Sequence, residues 1–266
     1  MSTKFASVFP RLTLFRLAKF DEAKIERYPE GDPKGGQFAP KGGGGAAGKA
    51  AEISGADPAV VTAIREKIGA MGGAIGDRVK LAKAAEPKLT GLVNKIAGQF
   101  GGKMEGLNHR IKTRVAVESK IIRKALQKPG KPLDRILADM KDMVRYTMVL
   151  PHGSYVEGAR AAIISLEQEG WEAIDKDNFW QPGNIYKGIN FAFENKDGTR
   201  FELQFHTPQS YEVKQKESHP LFEKAREPDT PPSEREKLVD QMRNIWNKVI
   251  MPAGVSAIGI GRMMTL

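Results

Sequence analysis

The chain has no cysteine in its 266 residues, which excludes disulfides, thiolate metal sites and a thiol nucleophile at once. It has no run of about eighteen apolar residues, so no membrane span is expected. Its first twenty residues lack the apolar centre and small-residue cleavage site of a signal peptide. That segment, MSTKFASVFPRLTLFRLAKF, mixes bases with Phe and Leu and reads as a basic arm. Acid is in the minority: 32 Asp and Glu face 42 Lys and Arg, a formal net charge of +10. Such a balance favours polyanionic partners. No helix-turn-helix, zinc or aromatic RNA-binding signature accompanies the charge.

Glycine and proline are unevenly spread. Residues 28–50, YPEGDPKGGQFAPKGGGGAAGKA, form a flexible linker. Gly48-Lys49-Ala50 is not a phosphate loop, because no Ser or Thr follows the lysine and no strand precedes it. Three parts are expected: an arm and linker over 1–56, a folded domain over 57–226, and a C-terminal helix and tail over 227–266.

Asp57-Pro58 reads as a helix start, and apolar stripes predict two helices within 57–99, separated by the glycines at 69, 72, 73 and 76. Residues 103–128 are basic and become helical. A short helix then passes into a strand over 133–150, with Asp139, Asp142 and Arg145 at the crossover. A helix over 154–170 and strands over 171–179 and 185–193 follow. Asn195-Lys196-Asp197-Gly198 reads as a hairpin turn. In the next strand Phe201, Leu203 and Phe205 alternate with Glu202, Gln204 and His206. One face of that strand is packed, while the other carries an acid, an amide and an imidazole. Thr207-Pro208 opens a helix bearing Lys214, Lys216 and His219, and a last helix runs from Ser233 to about Ile250. The order predicts a mixed sheet flanked by helices, α+β or α/β, and not a helical bundle.

Taken singly, these residues have plain readings. Tyr186 reads as a packed sheet residue, His206 and His219 as hydrogen-bonded structural histidines, and Asp142 as a cap or a bridge to Arg145. Together and in order they resemble the synthetase domain of the RelA/SpoT family of nucleotidyltransferases. The resemblance rests on the basic segment with Ser119 and Arg123, Asp142 with Arg145, Asp177, Tyr186-Lys187-Gly188-Ile189-Asn190, Glu202-Leu203-Gln204-Phe205-His206-Thr207 and His219. It covers roughly residues 75–226. The Asp142-to-Arg145 spacing is shorter than the family's and lacks its glycine. His206 stands for an arginine and Asn190 for a histidine, which leaves the nucleotide preference open. No His-Asp dipeptide occurs, so the hydrolase half of the long bifunctional members is expected to be absent, as are their regulatory C-terminal domains.

The resemblance implies an α+β domain that moves pyrophosphate from ATP to the 3′-hydroxyl of a purine nucleotide or a tRNA 3′ end. It implies magnesium held by Asp142 and Glu202, with Asp139 a competing acid. Glu202 is a second ligand or the base for the attacking hydroxyl. Arg110, Lys112, Arg114, Ser119, Arg123 and Arg145 hold the phosphates. Tyr186 stacks on the acceptor base, and Lys187 meets its phosphate. Asn190, Gln204 and His206 complete the substrate set, with Lys214, Lys216 and His219 on the far wall. A toxin, a homo-oligomer and a cytoplasmic site in a bacterial host are compatible with this reading. The phrase GDPKGGQFAPKG also resembles short segments of tailed-phage head-associated proteins. The alternative is therefore a virion-associated structural protein carrying an inactive domain.

Overall fold

Apolar side chains at helical and then at alternating spacing build a single mixed sheet with helices packed on it. The structure, a computed structural model, describes residues 58–226, 230–262 and 264. The basic arm and the phage-like linker lie outside the described residues. Helix α1 (Pro58–Ala70) meets α2 (Gly72–Gln99) at Met71. The glycines expected to separate the two helices do so only at this point. Gly73 and Gly76 lie inside α2, whose buried stripe of Ile75, Ala82, Leu89, Val93 and Ile96 offsets their helix cost. Strand β1 (Lys103–Glu105) follows, then α3 (Arg114–Gln127), α4 (Leu133–Ala138) and β2 (Arg145–Val149). Helix α5 (Tyr155–Gln168) leads to β3 (Trp171–Asn178), β4 (Ile189–Asn195) and β5 (Arg200–His206). Helix α6 (Pro208–Val213) continues through a π turn (Lys214–Ser218) into α7 (His219–Arg226). Helix α8 (Pro232–Asn247) and strand β6 (Ile260–Gly261) close the described chain.

Among the described residues the sheet order is β1-β2-β5-β4-β3-β6. Strands β2 and β5, second and third in that order, run parallel, with Arg145 opposite Glu202 and Thr147 opposite Gln204. Strand β4 is antiparallel to β5, so Asn190 also lies opposite Gln204. The class is α+β. The side chains of one sheet face are Tyr146 and Met148 of β2, Phe201, Leu203 and Phe205 of β5, and Phe191 and Phe193 of β4, all buried. Helices α2 and α5 cover it. The Tyr146 hydroxyl donates to the Glu86 carbonyl of α2, and Tyr155 of α5 donates to the Phe205 carbonyl at 2.9 Å. Period two then puts Arg145, Thr147, Glu202, Gln204 and Asn190 together on the opposite face.

Three features depart from the sequence reading. Strands β1 and β6 were not expected. Strand β4 starts at Ile189, not 185, which leaves Tyr186 and Lys187 in the preceding loop. There Gly188 lies so close that a Cβ would meet the Tyr186 hydroxyl at 2.6 Å, so only glycine fits without a shift.

Candidate functional site

Asp142 lies in the connection between α4 and β2, three residues before the strand rather than on it. Lys120 of α3 meets its Oδ1 at 2.7 Å, and Lys112 meets its Oδ2 at 3.2 Å. The Asp142 side chain is only 12 % exposed. Burial works to raise its pKa, but the two ammonium groups outweigh it and hold the carboxyl down to about 2. The same burial lowers the pKa of Lys112, opposed by Asp142 and aided by Lys120 and Arg145. Asp139 is separate: exposed, and paired with Lys131.

Glu202 sits on β5 opposite exposed Arg145. Its Oε1 accepts from the Gln204 amide, and the Gln204 carbonyl oxygen accepts from Lys214 at 2.7 Å. Burial, and then the charge of Arg145, push the Lys214 pKa down to about 8, against Glu202. At the end of this strip the buried Tyr186 hydroxyl donates to Asn190 Oδ1 at 2.9 Å and also lies 2.9 Å from His206 Nε2. His206 Nδ1 contacts Ser210 Oγ at 2.9 Å. Burial, with Lys214 nearby, drives the His206 pKa well below its ordinary value, so this imidazole is neutral.

The structure thus gathers Lys112, Lys120, Asp142, Arg145, Glu202, Gln204, Asn190, Lys214, Tyr186 and His206 along the polar face. Tyr186 is enclosed by Phe179, Trp246 and His206, with edge-on ring contacts at 5.3, 5.6 and 5.4 Å. It packs and positions in this conformation and presents no open stacking surface. Other expected substrate residues are engaged elsewhere. Arg110 is committed to Glu86 of α2, and Arg114 pairs with Glu118 at 2.8 Å. Ser119 lines a groove between α1 and α3 with Arg65, Ile68 and Ile122. Lys187 is buried, with its ammonium 3.4 Å from the Val249 carbonyl. Lys216 pairs with Glu212 on the surface, and His219 is exposed where the π turn becomes α7. Arg123 stays on α3 beside Lys124, whose pKa burial and the charges of Lys120 and Arg123 lower.

Sequence reading missed Ser210 and Trp246, which brace this network. It also missed Arg262, which pairs with Asp177 of β3 at 2.6 Å. Ser210 was legible in principle, since Thr207-Pro208 marks a helix start and Ser210 is the third helical residue. No spacing marks the others.

Magnesium takes few protein ligands, often one or two carboxylates, with phosphates and water supplying the rest. No group of three metal-ligating side chains occurs among the described residues. Two carboxylates beside a basic strip therefore fit a metal that arrives with a polyphosphate. Glu202 is committed through one oxygen only. Asp142 has a lysine on each oxygen and would exchange one of them for the ion.

The class so defined is an α+β domain with one acid on the polar face of the parallel β2–β5 pair, a second acid just before β2, and several bases around them. Solved structures similar to this chain include the Type VI effector Tas1 in complex with its immunity protein, at 20% identity and TM-score 0.43, covering 65% of this chain and 94% of that one. A small alarmone synthetase from Bacillus subtilis bound to its product pppGpp is similar at 14% identity and TM-score 0.43, covering 62% and 86%. A GTP pyrophosphokinase family protein from Streptococcus pneumoniae is similar at 14% identity and TM-score 0.41, covering 63% and 83%. No family model and no curated protein sequence matches the chain.

Proposed function

We propose that the chain transfers pyrophosphate from ATP to the 3′-hydroxyl of a purine nucleotide or of a tRNA 3′ end. The observation that carries this reading is the register of Glu202 opposite Arg145 on the parallel β2–β5 pair, near a carboxylate already held between two lysines. A phosphoryl-transfer site needs countercharge for a polyphosphate and a base for a hydroxyl, and both stand on one sheet face.

The acceptor oxygen attacks the β-phosphorus of ATP. The bond from that phosphorus to the α–β bridging oxygen breaks, and AMP leaves with the electron pair. Glu202 takes the proton of the attacking hydroxyl. Lys112, Lys120 and Arg145 neutralise charge on the phosphates as the bridging bond lengthens. Magnesium, when bound, would add Lewis-acid polarisation of the phosphate oxygens, with Asp142 as the group able to hold it while Glu202 serves as the base. Neutral His206 and Tyr186 keep the wall next to Asn190 and Gln204 rigid. A host-directed toxin is one setting for this chemistry, because consuming ATP and purine nucleotides depletes a cell.

The test is a transfer assay with γ-labelled ATP and magnesium, offering GDP, GTP, ADP, ATP and bulk tRNA in parallel. Label should move to at least one acceptor and stay on ATP in Glu202→Gln. Absence of transfer to every acceptor would count against the reading and favour an inactive structural domain.

A further inference from the structure

We propose that Lys214 is a positioning residue that sets the orientation of the Gln204 amide and, through it, holds Glu202 ready for the reaction. This rests on the transferase reading for what Glu202 does, but not for the hydrogen bonds themselves.

An ammonium group can only donate, so the Gln204 atom it meets at 2.7 Å must be the carbonyl oxygen. The amide NH2 then has one direction left, toward Glu202 Oε1, where it donates. Without Lys214 the amide is held at one end only, by the Glu202 carboxylate, and its carbonyl oxygen loses its partner. A turned amide would set its carbonyl oxygen against a carboxylate oxygen, two acceptors facing each other. Lys214 therefore anchors the far end of Gln204 and locks it as a donor, which fixes one Glu202 oxygen and leaves the other for the substrate proton.

The backbone holds Lys214 at this post. Four residues before it, Ser210 contacts His206 Nδ1 at 2.9 Å and closes a capping box with Thr207. Four residues after it, Ser218 Oγ accepts from Trp246 Nε1 at 2.8 Å. The helix is thus pinned on both sides of Lys214, and the π turn begins at that residue. Such turns recur at functional sites. The groups facing Lys214 are Arg145 of β2, Glu202 and His206 of β5, and the Tyr186 ring, whose centroid lies 6.0 Å from its nitrogen. A lysine beside an arginine in a half-buried place is costly unless an acceptor takes its proton donor. The Gln204 carbonyl and the Tyr186 ring are those acceptors.

The test combines Lys214→Met, Lys214→Arg and Gln204→Leu. In wild type, the Gln204 side-chain NH2 should give distinct, exchange-protected amide signals by NMR. Lys214→Met should lose that protection and Lys214→Arg should keep it. This readout needs no turnover, so it decides the proposal even if no acceptor is found. With an acceptor in hand, Lys214→Met should lower kcat about 10- to 100-fold with KM for both substrates little changed. Lys214→Arg should restore most of it. Gln204→Leu combined with Lys214→Met should be no worse than Gln204→Leu alone. A rise in KM with kcat intact would overturn the proposal and make Lys214 a substrate contact. Unchanged Gln204 signals in Lys214→Met, or additive losses in the double variant, would overturn it as well.

Discussion

Arg110 and Lys112 stand two residues apart in one basic segment, yet they serve different parts of the molecule. Arg110 turns to Glu86 of α2, which also accepts from Thr90, the partner of the Tyr146 hydroxyl beneath the sheet. Lys112 turns to Asp142 at the polar face. The first cluster holds α2 to the apolar side of β2, and its base is tied to Glu86 and the Leu107 carbonyl. The second places two bases and an acid where a substrate can reach them. Charge density along a sequence therefore does not say which bases bind a ligand. What decides is which acid each base finds.

The largest effect expected from breaking this pairing pattern is at the base. Glu202→Gln should lower transfer by at least about 10²–10⁴-fold with an unchanged thermal midpoint, because the amide keeps the shape but cannot take a proton. Radiolabel transfer and a melting curve together check this. Lys112→Met should follow, with a loss of about 10²-fold in kcat/KM for ATP. Arg110→Met should do the reverse: activity per folded molecule near wild type, and stability lower by about 1–3 kcal/mol because the buried Glu86 carboxylate keeps Thr90 but loses its cationic partner. Urea midpoints and active-site-normalised rates would separate the two. If Arg110→Met instead lost activity at full stability, the division between the clusters would be wrong.

Chelation sharpens the same contrast. EDTA should stop transfer and leave the melting curve unchanged, since both structural clusters are held by protein groups alone. Magnesium should restore the rate. An effect of similar size to that of Arg110→Met is expected on acid stability. The folded Asp142 pKa of about 2 lies below the usual carboxylate value of 3.8. Its ion pairs thus contribute stability above about pH 4 that is lost as pH falls from 4 to 2, on the order of 2 kcal/mol. Asp142→Asn should flatten that part of the curve of urea midpoint against pH.

Much of the sheet was legible, because Phe201, Leu203 and Phe205 alternate with polar neighbours and the Asn195–Gly198 turn announces its hairpin. The helices of 57–99 and 154–170 were legible from their apolar stripes. Strands β1 and β6 were not, as three and two residues carry no periodic signal. Of the site, Glu202, Gln204 and His206 could be put on one face from period two alone. Their partners could not. The Arg110–Glu86 pair spans 24 residues and joins a loop to a helix, and Lys112 and Lys120 reach back 30 and 22 residues from Asp142. Tyr186 on its own reads as a packed residue, and only the family resemblance made it a stacking platform; Trp246, which closes on its ring, comes from a distant stretch.

The most direct test uses ATP labelled at the β-phosphorus and, separately, at the γ-phosphorus, with the acceptor that the first assay identifies. Pyrophosphate transfer predicts that both labels reach the acceptor together, with one AMP released per product and no ADP. Transfer of the γ-label alone, with ADP released, would contradict it.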